Sequence, residues 1–328
     1  MAGEADIIQG FFAPLAAGFD GAFGLKDDAA TITPPPGCDL VVTVDAIAAG
    51  VHFFPEDDAS DIGWKALAVN VSDLIAKGAA PHAYVMSLAF PDMPDNAWLL
   101  GFATGLAEAQ RAFGITLIGG DTDRRPGPVS VTITAVGFVP AGRIVKRATA
   151  MVGDHVFVSG SLGDSALGLQ LRWEAAAGAP FTVSTAHRSH LIGRYLRPRP
   201  PLALVPALLE FASASMDLSD GLVKDLTRMA DASGVGALID TEAFPLSEAA
   251  RAVVALKASE LATIATGGDD YQVLATVAPL NVAGFTAAAS AAGVDVTEIG
   301  RIIDGHGVTI LGPDGNPVSF ARAGYDHF

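Results

Sequence analysis

The pattern of apolar and polar positions predicts alternating strands and helices along most of the chain. Within residues 61–77 the apolar side chains recur at helical spacing, which places Asn70 and Asp73 on the opposite stripe of that helix. Residues 40–44 form a β-rich run, and residues 129–139 alternate Thr and Val as a strand does. The other predicted helices are 6–18, 95–113, 163–177, 202–213 and 281–292, and the other predicted strands are 83–90, 115–118, 155–158, 271–277 and 297–303.

This order of elements predicts an α/β protein with two domains. Both halves of the chain mix strands and helices, and no short-period repeat interrupts them. Pro140, Gly142 and Gly153 punctuate a candidate linker at about residues 140–153. We therefore expect one domain over residues 1–142 and a second over residues 150–328.

Composition narrows the class of function. The chain has 328 residues, and its 36 Asp and Glu against 20 Lys and Arg give a net charge of -16. Such a surface repels a phosphate backbone, so we expect no nucleic-acid partner. It would also repel ATP, unless some carboxylates hold Mg²⁺ and thereby reverse the local charge.

Cysteine content and hydropathy indicate the compartment. The single cysteine, Cys38, excludes an intramolecular disulfide framework and fits a reducing environment. Glu4 and Asp6 stand where a signal peptide carries basic residues. No uncharged apolar run reaches the roughly 18 residues of a membrane span. We expect a soluble, cytoplasmic protein without a membrane partner.

Aspartates mark the turns of the predicted elements. Because ligands bind at the strand ends of open α/β sheets, and because Mg²⁺ prefers hard oxygen ligands, this pattern predicts a metal-phosphate site. Each turn taken alone is at least as readily explained by the ordinary preference of Asp and Gly for turns. The aspartates are Asp45 at a strand end, Asp121 after a strand and two glycines, Asp217 and Asp220 at a strand-to-helix junction, and Asp269 and Asp270 after two more glycines.

Two local features favour phosphate binding at these turns. Gly119 and Gly120 allow the backbone to approach a ligand with its N–H groups exposed. Ser219 is predicted to cap a helix that carries Leu222 and Leu226 on one face, and a helix start of this kind can hold an anion. The known phosphate cradle G-x-x-x-x-G-K-[ST] is absent from the sequence, as are the protein-kinase motifs.

A series of segments together resembles the thiamine-monophosphate kinase family. They are DDAATI, VTVDAIAAGVHF, DIGWKALAVNVSDLIAKGA, LIGGDTDR, GDHVFVSGSLGDSALGL, RPRPPL, MDLSDGLVKDL, TGGDDYQVL and the terminal GYDHF. The similarity runs from about residue 20 to the end of the chain. It implies a two-domain fold of the aminoimidazole-ribonucleotide-synthetase-like superfamily, with mixed sheets flanked by helices.

The resemblance also implies an activity and an assembly. The expected reaction is phosphorylation of thiamine monophosphate by ATP, giving thiamine diphosphate, with several Mg²⁺ ions as cofactors and direct in-line transfer. The N-terminal domain would bind ATP and Mg²⁺ and form a homodimer. No general base is expected, because the acceptor phosphate is already ionised at neutral pH.

The family's functional residues map onto this chain as follows. The metal ligands would be Asp28, Thr43, Val44 through its carbonyl, Asp45, Asp73, Asp121, Asp217 and Asp220, among which Asp45, Asp121 and Asp220 would be catalytic. ATP would contact Gly120, Asp121, Arg147 and Ser219. Thiamine monophosphate would contact His52, Asp269 and Tyr325.

Several positions depart from the common family pattern. Lys26 replaces a frequent Gly before the acidic pair, and Val44 and Asp123 each replace a frequent Thr. Asp269 and Gln272 replace frequent Glu residues, and Asp269 shortens the reach of the carboxylate by one methylene. Since no expected carboxylate is lost, we expect activity.

Three alternatives remain open at this point. The first is another ATP-using enzyme of the same superfamily. The second is a non-catalytic nucleotide or Mg²⁺ sensor that retains the fold. The third is an acidic structural protein whose turns merely contain Asp, and it predicts no stabilisation by Mg-ATP.

Overall fold

The computed structural model describes residues 4–173 and 181–325. These residues form two compact units, the first from residues 1–74 and 79–142 and the second from residues 75–78 and 143–328. A prediction that divides the sequence at a single boundary cannot place the short segment 75–78 in the same unit as the C-terminal residues.

The first unit is built on a four-stranded mixed sheet in the order β1-β4-β2-β3. Its strands are β1 (Cys38–Ala48), β2 (Ala80–Phe90), β3 (Thr116–Arg124) and β4 (Ser130–Pro140), and its helices are α1 (Glu4–Ile7), α2 (Ala59–Ala76) and α3 (Asn96–Phe113). Strand β4 pairs antiparallel with both β1 and β2, whereas β2 and β3 run parallel. The last two residues of α2 fall in the second unit.

Local sequence explains how these helices begin and where they pack. The Asp95 side chain accepts a hydrogen bond from the Trp98 N–H at 2.6 Å, which caps α3. Trp64 of α2 meets Phe113 of α3 with ring centroids 5.5 Å apart. Leu67 and Val71 of α2 are fully buried, and each such side chain contributes about 1.5–3 kcal/mol through removal from water.

The N-terminal segment corrects the prediction of a helix over residues 6–18. After α1 the chain forms a π-helical turn over Ile8–Phe12 and a 3₁₀ turn over Ala13–Ala16. Pro14 stands at the start of the 3₁₀ turn. A proline inside an α-helix removes one hydrogen bond and clashes with the preceding turn, so a continuous helix is disfavoured here by about 3 kcal/mol.

Strands β1 and β3 are longer than the sequence predicted, and this changes the position of two aspartates. Asp45 pairs with Ile133 inside β1 and does not end the strand. Gly120 and Asp121 lie within β3, in register with Met86 and Ser87 of β2, and do not follow the strand. Pairing with neighbouring strands supplies backbone hydrogen bonds that the local sequence does not reveal.

The second unit is built on a seven-stranded mixed sheet in the order β11-β10-β7-β9-β5-β8-β6. The strands are β5 (His155–Ser159), β6 (Ala212–Asp217), β7 (Gly236–Asp240), β8 (Val273–Val277), β9 (Val296–Ile303), β10 (Gly307–Leu311) and β11 (Pro317–Val318). The helices are α4 (Asp164–Trp173), α5 (Thr185–Leu196), α6 (Val205–Phe211), α7 (Leu222–Ser233), α8 (Glu248–Leu256), α9 (Glu260–Thr266) and α10 (Val282–Ala291).

The core of the second unit joins its helices to its sheet. One buried cluster contains Leu167 of α4, Leu226 and Met229 of α7, and Ile239 of β7. Residues 174–177, the end of the predicted helix 163–177, lie outside the described residues. Both units therefore contain a mixed sheet with flanking helices, which confirms the predicted fold class. No helix in residues 4–173 and 181–325 is long and apolar enough to cross a membrane.

Candidate active site

The predicted site residues divide between the two units. The first unit carries Asp28, Thr43, Val44, Asp45, His52, Asp73, Gly120 and Asp121, and the second carries Arg147, Asp217, Ser219, Asp220, Asp269 and Tyr325.

Strand β1 and helix α2 hold four of the predicted metal ligands, Thr43, Val44, Asp45 and Asp73. The Thr43 hydroxyl donates to the Asp73 carboxylate at 2.5 Å. The backbone N–H of Asp45 donates to the Asn70 side-chain oxygen at 2.9 Å, and Asn70 is itself buried and donates to Ala66 on the same helix. These bonds fix β1 against α2 at two adjacent points, so the Asp45 carboxylate is presented from a rigid strand.

A cavity of about 240 Å³ lies between the acidic loop at residues 27–30 and strands β2 and β3. Asp28, Gly120 and Asp121 line it, together with Asp27 and apolar side chains such as Phe12. A Cβ atom at Gly120 would lie 1.9 Å from the Met86 carbonyl oxygen, so only glycine fits at this point of β3. The structure thus brings two predicted metal ligands, Asp28 and Asp121, to one cavity, where Gly120 and the same Asp121 are also predicted ATP contacts.

The loop after β1 positions His52. Its Nδ1 accepts the backbone N–H of Ala48 at 3.1 Å, so in the neutral ring the proton resides on Nε2. The buried Lys65 ammonium donates to the His52 carbonyl at 2.9 Å, and buried Phe53 anchors the next residue of the loop. The imidazole therefore presents an Nε2–H donor, the group a phosphate oxygen requires.

In the second unit, the turn between β6 and α7 carries Ser219 and Asp220. Both backbone N–H groups donate to Oδ2 of Asp225, at 3.1 and 3.0 Å. Gly221 is the N-cap of α7, so the prediction that Ser219 caps this helix is wrong. Asp225, one turn into the helix, closes the turn instead. Burial raises the pKa of Asp225 to about 6, against the opposing effect of the Asp220 N–H.

The Asp220 carboxylate is paired with two basic side chains. Arg228 Nη1 lies 2.5 Å from Asp220 Oδ2, and Lys224 Nζ lies 3.5 Å from the same oxygen. Both cations therefore meet one edge of the carboxylate. A carboxylate has two oxygens with about four acceptor sites, so Oδ1 can still bind a metal ion or a hydrogen-bond donor.

The same turn collects the predicted substrate residues of the second unit. Asp269 donates its backbone N–H to the Ser219 carbonyl at 2.9 Å, and Tyr325 donates its own to the Asp220 carbonyl at 3.0 Å. Asp217, at the end of β6, is buried. Arg147 is exposed, and its carbonyl accepts a hydrogen bond from the Ser233 hydroxyl. Residues 326–328 of the GYDHF motif lie outside the described residues.

Comparison with known proteins decides the family. The profile of AIR synthase related protein, N-terminal domain, matches residues 26–139, and that of the C-terminal domain matches residues 151–312. Thiamine-monophosphate kinase of Salmonella typhimurium is 40% identical over 329 residues, covering 99% of this chain and 98% of that protein. The chain belongs to the thiamine-monophosphate kinase family.

Solved structures agree with this assignment. Thiamine-monophosphate kinase from Stenotrophomonas maltophilia K279a matches with a TM-score of 0.81 and 39% identity, over 89% of this chain and 90% of that one. The protein named AaThiL, solved in complex with AMPPCP and TMP, matches with a TM-score of 0.78 and 32% identity, over 99% of this chain and 97% of that one.

The carboxylates suit a metal that phosphates help to bind. Within residues 4–173 and 181–325, no three His, Cys, Asp or Glu side chains converge into a ready-made metal centre. Mg²⁺ in proteins keeps several waters and uses one or two carboxylates plus substrate phosphates. Asp28 and Asp121 on one cavity supply hard oxygen donors of that kind. The donor set of this kinase-family chain therefore fits Mg²⁺.

Three departures from the family pattern have defined positions. Val44 is 59% exposed on β1, and because its aliphatic side chain has no donor atom, its carbonyl is the group that a metal would use. Asp123 is exposed on β3. Gln272 is buried, and its amide, oriented to satisfy both neighbours, accepts from Arg194 at 2.9 Å and donates to Ser159.

The sequence did not predict a buried polar network that lies next to the GGDDY turn, residues 267–271. The Asp164 carboxylate accepts from the hydroxyls of Ser161 and Ser247 and contacts His190 Nε2 at 2.9 Å. The Asp270 carboxylate is also buried here. The only sequence signal was the presence of Asp164 and Asp270 in the motifs GDSALGL and GGDDY.

Proposed function

We propose that this protein transfers the γ-phosphoryl group of ATP directly to thiamine monophosphate, producing thiamine diphosphate and ADP. The observation that carries the proposal is the likeness over 99% of the chain to a thiamine-monophosphate kinase at 40% identity. The grouping of the predicted site residues within each unit supports it. Thiamine-monophosphate-dependent release of ADP from Mg-ATP tests it.

On the metal side, Mg²⁺ would be held in the first unit by Asp28, Thr43, Val44, Asp45, Asp73 and Asp121, and in the second by Asp217 and Asp220. When bound at these residues, Mg²⁺ would supply the positive charge that neutralises the phosphates during transfer. The chain's own contribution is rigidity. Thr43 restrains the Asp73 carboxylate and Asn70 restrains the Asp45 backbone, so the first carboxylate and the backbone that carries the second are held in place before ATP arrives.

The role of Asp220 is compatible with its two basic partners. We propose that Oδ1 faces the metal while Oδ2 keeps Arg228 and Lys224. The paired cations also offset the charge of the nearby carboxylates, which reduces repulsion of the incoming phosphates. Gly120, Asp121, Arg147 and Ser219 are the proposed ATP contacts, and the planar guanidinium of Arg147 suits bidentate phosphate binding.

The acceptor side uses different groups. His52 would donate its Nε2–H to the phosphate of thiamine monophosphate. The Asp269 carboxylate would attract the cationic thiazolium ring, and the exposed Tyr325 ring would stack on an aromatic ring of thiamine. No group acts as general base, because the attacking phosphate oxygen carries no proton to remove at neutral pH.

We further propose that the protein is a homodimer formed through the exposed edge of the first sheet. Strand β1 is an edge strand of 11 residues, and Leu40, Val42 and Val44 are 45%, 57% and 59% exposed along it. A long apolar edge strand is a template for pairing unless something covers it. A second copy of this chain presents the same apolar surface and can pair with it symmetrically.

A further inference from the structure

The turn that carries Asp269 has an unusual backbone. Asp269 and Tyr271 have φ values of 71° and 49°, the left-handed region that non-glycine residues rarely adopt. Such conformations persist only where the surrounding structure determines them, and they cluster at functional sites. Contacts with neighbouring residues must therefore hold this turn in its conformation.

One side of the turn is held by the loop that precedes α7. Asp269 and Tyr271 donate their backbone N–H groups to the carbonyls of Ser219 and Leu218, at 2.9 and 2.8 Å. A Cβ atom at Gly268 would lie 2.3 Å from the Ser219 carbonyl oxygen, so the two loops touch without room for a side chain. The Tyr271 hydroxyl donates to Asp269 Oδ1 at 3.1 Å and orients that carboxylate.

The other side of the turn is held by Asp270, a residue to which the proposed reaction assigns no role. Its carboxylate is buried and accepts the backbone N–H groups of Gly163 at 2.7 Å and Ser165 at 3.4 Å, at the start of α4. Burial, together with the nearby Asp164 charge, raises the pKa of Asp270 to about 7, although the Gly163 and Ser165 N–H groups and the Arg194 guanidinium act in the opposite direction. The two neighbouring aspartates therefore have different surroundings, one half-buried and the other enclosed.

We propose that Asp270 is a positioning residue, which clamps the strained turn onto the start of α4 and thereby fixes the Asp269 carboxylate for the thiamine part of the acceptor. The proposal rests on the proposed function for the identity of that acceptor. The clamp itself rests only on contacts within the second unit. Without it, the turn is free to relax to ordinary φ values and Asp269 leaves its orientation.

The test is Asp270→Asn, which keeps the shape but turns an NH₂ group toward one of the two backbone donors. We expect KM for thiamine monophosphate to rise about tenfold, because a misplaced binding group weakens the acceptor, while KM for ATP changes less than about twofold. Hydrogen exchange at the amides of Asp269 and Tyr271 should become at least about tenfold faster, because the turn that carries these amides is no longer held against the Ser219 and Leu218 carbonyls. Asp154→Asn is the matched control, since Asp154 is a buried carboxylate of the same unit that accepts the Met151 N–H at 3.0 Å.

The outcomes are distinguishable. Unchanged exchange in the folded Asp270→Asn protein, or equal changes in Asp154→Asn, would overturn the positioning role. Faster exchange in a protein whose wild type ignores thiamine monophosphate would keep the clamp and refute the proposed function. If Asp270→Asn does not fold, hydrogen exchange of the wild-type protein takes its place. The Gly163 N–H, which donates to the Asp270 carboxylate, should exchange as slowly as the amides of Asp269 and Tyr271, and a Gly163 amide that exchanges freely would overturn the proposal.

Discussion

The Thr43 hydroxyl donates to the Asp73 carboxylate at 2.5 Å, which ties strand β1 to helix α2. Both residues are proposed metal ligands of the first unit. Because the hydroxyl restrains the carboxylate, the carboxylate keeps its orientation whether or not a ligand is bound. Such preorganisation matters most where charge develops during a reaction.

Thr43→Val should therefore reduce activity more than stability. The variant keeps the β-branched shape but removes the only hydroxyl proton that Thr43 can donate. We expect kcat/KM for Mg-ATP to fall about tenfold, in line with the roughly 1–3 kcal/mol of a lost hydrogen bond to a charged group. Steady-state kinetics with varied Mg-ATP measures it. Thr104→Val, on the exposed part of α3, is the control, and equal losses in the two variants would contradict the role of Thr43.

Asp121→Asn and Asp45→Asn should abolish most of the turnover with little effect on folding. Both side chains are exposed, so neutralising them should change the free energy of unfolding by no more than about 0.5 kcal/mol. Turnover should fall at least about 100-fold, because a carboxylate that holds Mg²⁺ loses its charge. Turnover as a function of Mg²⁺ concentration measures this, and full turnover at limiting Mg²⁺ in both variants would refute the metal assignment.

His52→Ala should act on the acceptor. The change removes the Nε2–H donor that we assign to the phosphate of thiamine monophosphate. We expect KM for that substrate to rise about tenfold and KM for ATP to change little. Two-substrate kinetics separates the two constants. A change confined to ATP would contradict the assigned role of His52.

Val42→Glu should separate the proposed homodimer into monomers. The side chain is 57% exposed on the edge strand β1, so a charge there costs the folded monomer little but opposes a second copy of the strand. Light scattering after size-exclusion chromatography should give half the wild-type mass. Leu280→Glu, at a side chain 86% exposed in the second unit, should leave the mass unchanged. A wild type that is monomeric at assay concentrations would end the dimer proposal.

The raised pKa of Asp270 predicts a pH dependence of stability. Burial raises this pKa from 3.8 to about 7, so between these values the folded protein binds a proton that the unfolded chain has released. The free energy of unfolding should therefore decrease as pH rises from about 4 to 7, by about 1.4 kcal/mol per unit at most. The charged groups that face Asp270 are Asp164 and Arg194, with His190 paired to Asp164.

Urea unfolding of the wild type and of Asp270→Asn over this pH range isolates the contribution of Asp270. The variant should show a flatter profile, because it lacks the titrating group, while other carboxylates contribute equally to both curves. Parallel profiles for the two proteins would show that the pKa of Asp270 is not raised.

Long amphipathic segments were predictable from the sequence. Residues 95–113 were predicted as a helix and form one over Asn96–Phe113, and residues 297–303 were predicted as a strand and lie in Val296–Ile303. Each of these segments buries one face, so its apolar residues recur at the spacing of a helix or a strand. That spacing can be read from the local sequence alone. Short strands such as Gly236–Asp240 were missed, because their five residues carry too little pattern and distant strands supply their partners.

The candidate site was predictable as a set of residue types but not as an arrangement. The resemblance to a family indicated which aspartates to consider. The contact of Asp45 with Asn70 depends on the packing of β1 against α2, and the contact of Asp220 with Arg228 depends on how the turn before α7 folds back onto that helix. Asp225 and Asp270 carried no distinguishing signal, since an acidic residue in a turn or helix is ordinarily exposed. Only their burial in the fold reveals them.

Production of ADP from Mg-ATP, with and without thiamine monophosphate, tests the central claim most directly. The purified protein is assayed in both conditions, and thiamine diphosphate is identified by mass. We predict that ADP release depends on thiamine monophosphate and matches thiamine diphosphate mole for mole. ADP release that ignores thiamine monophosphate, or stabilisation by Mg-ATP without any product, would contradict the kinase assignment.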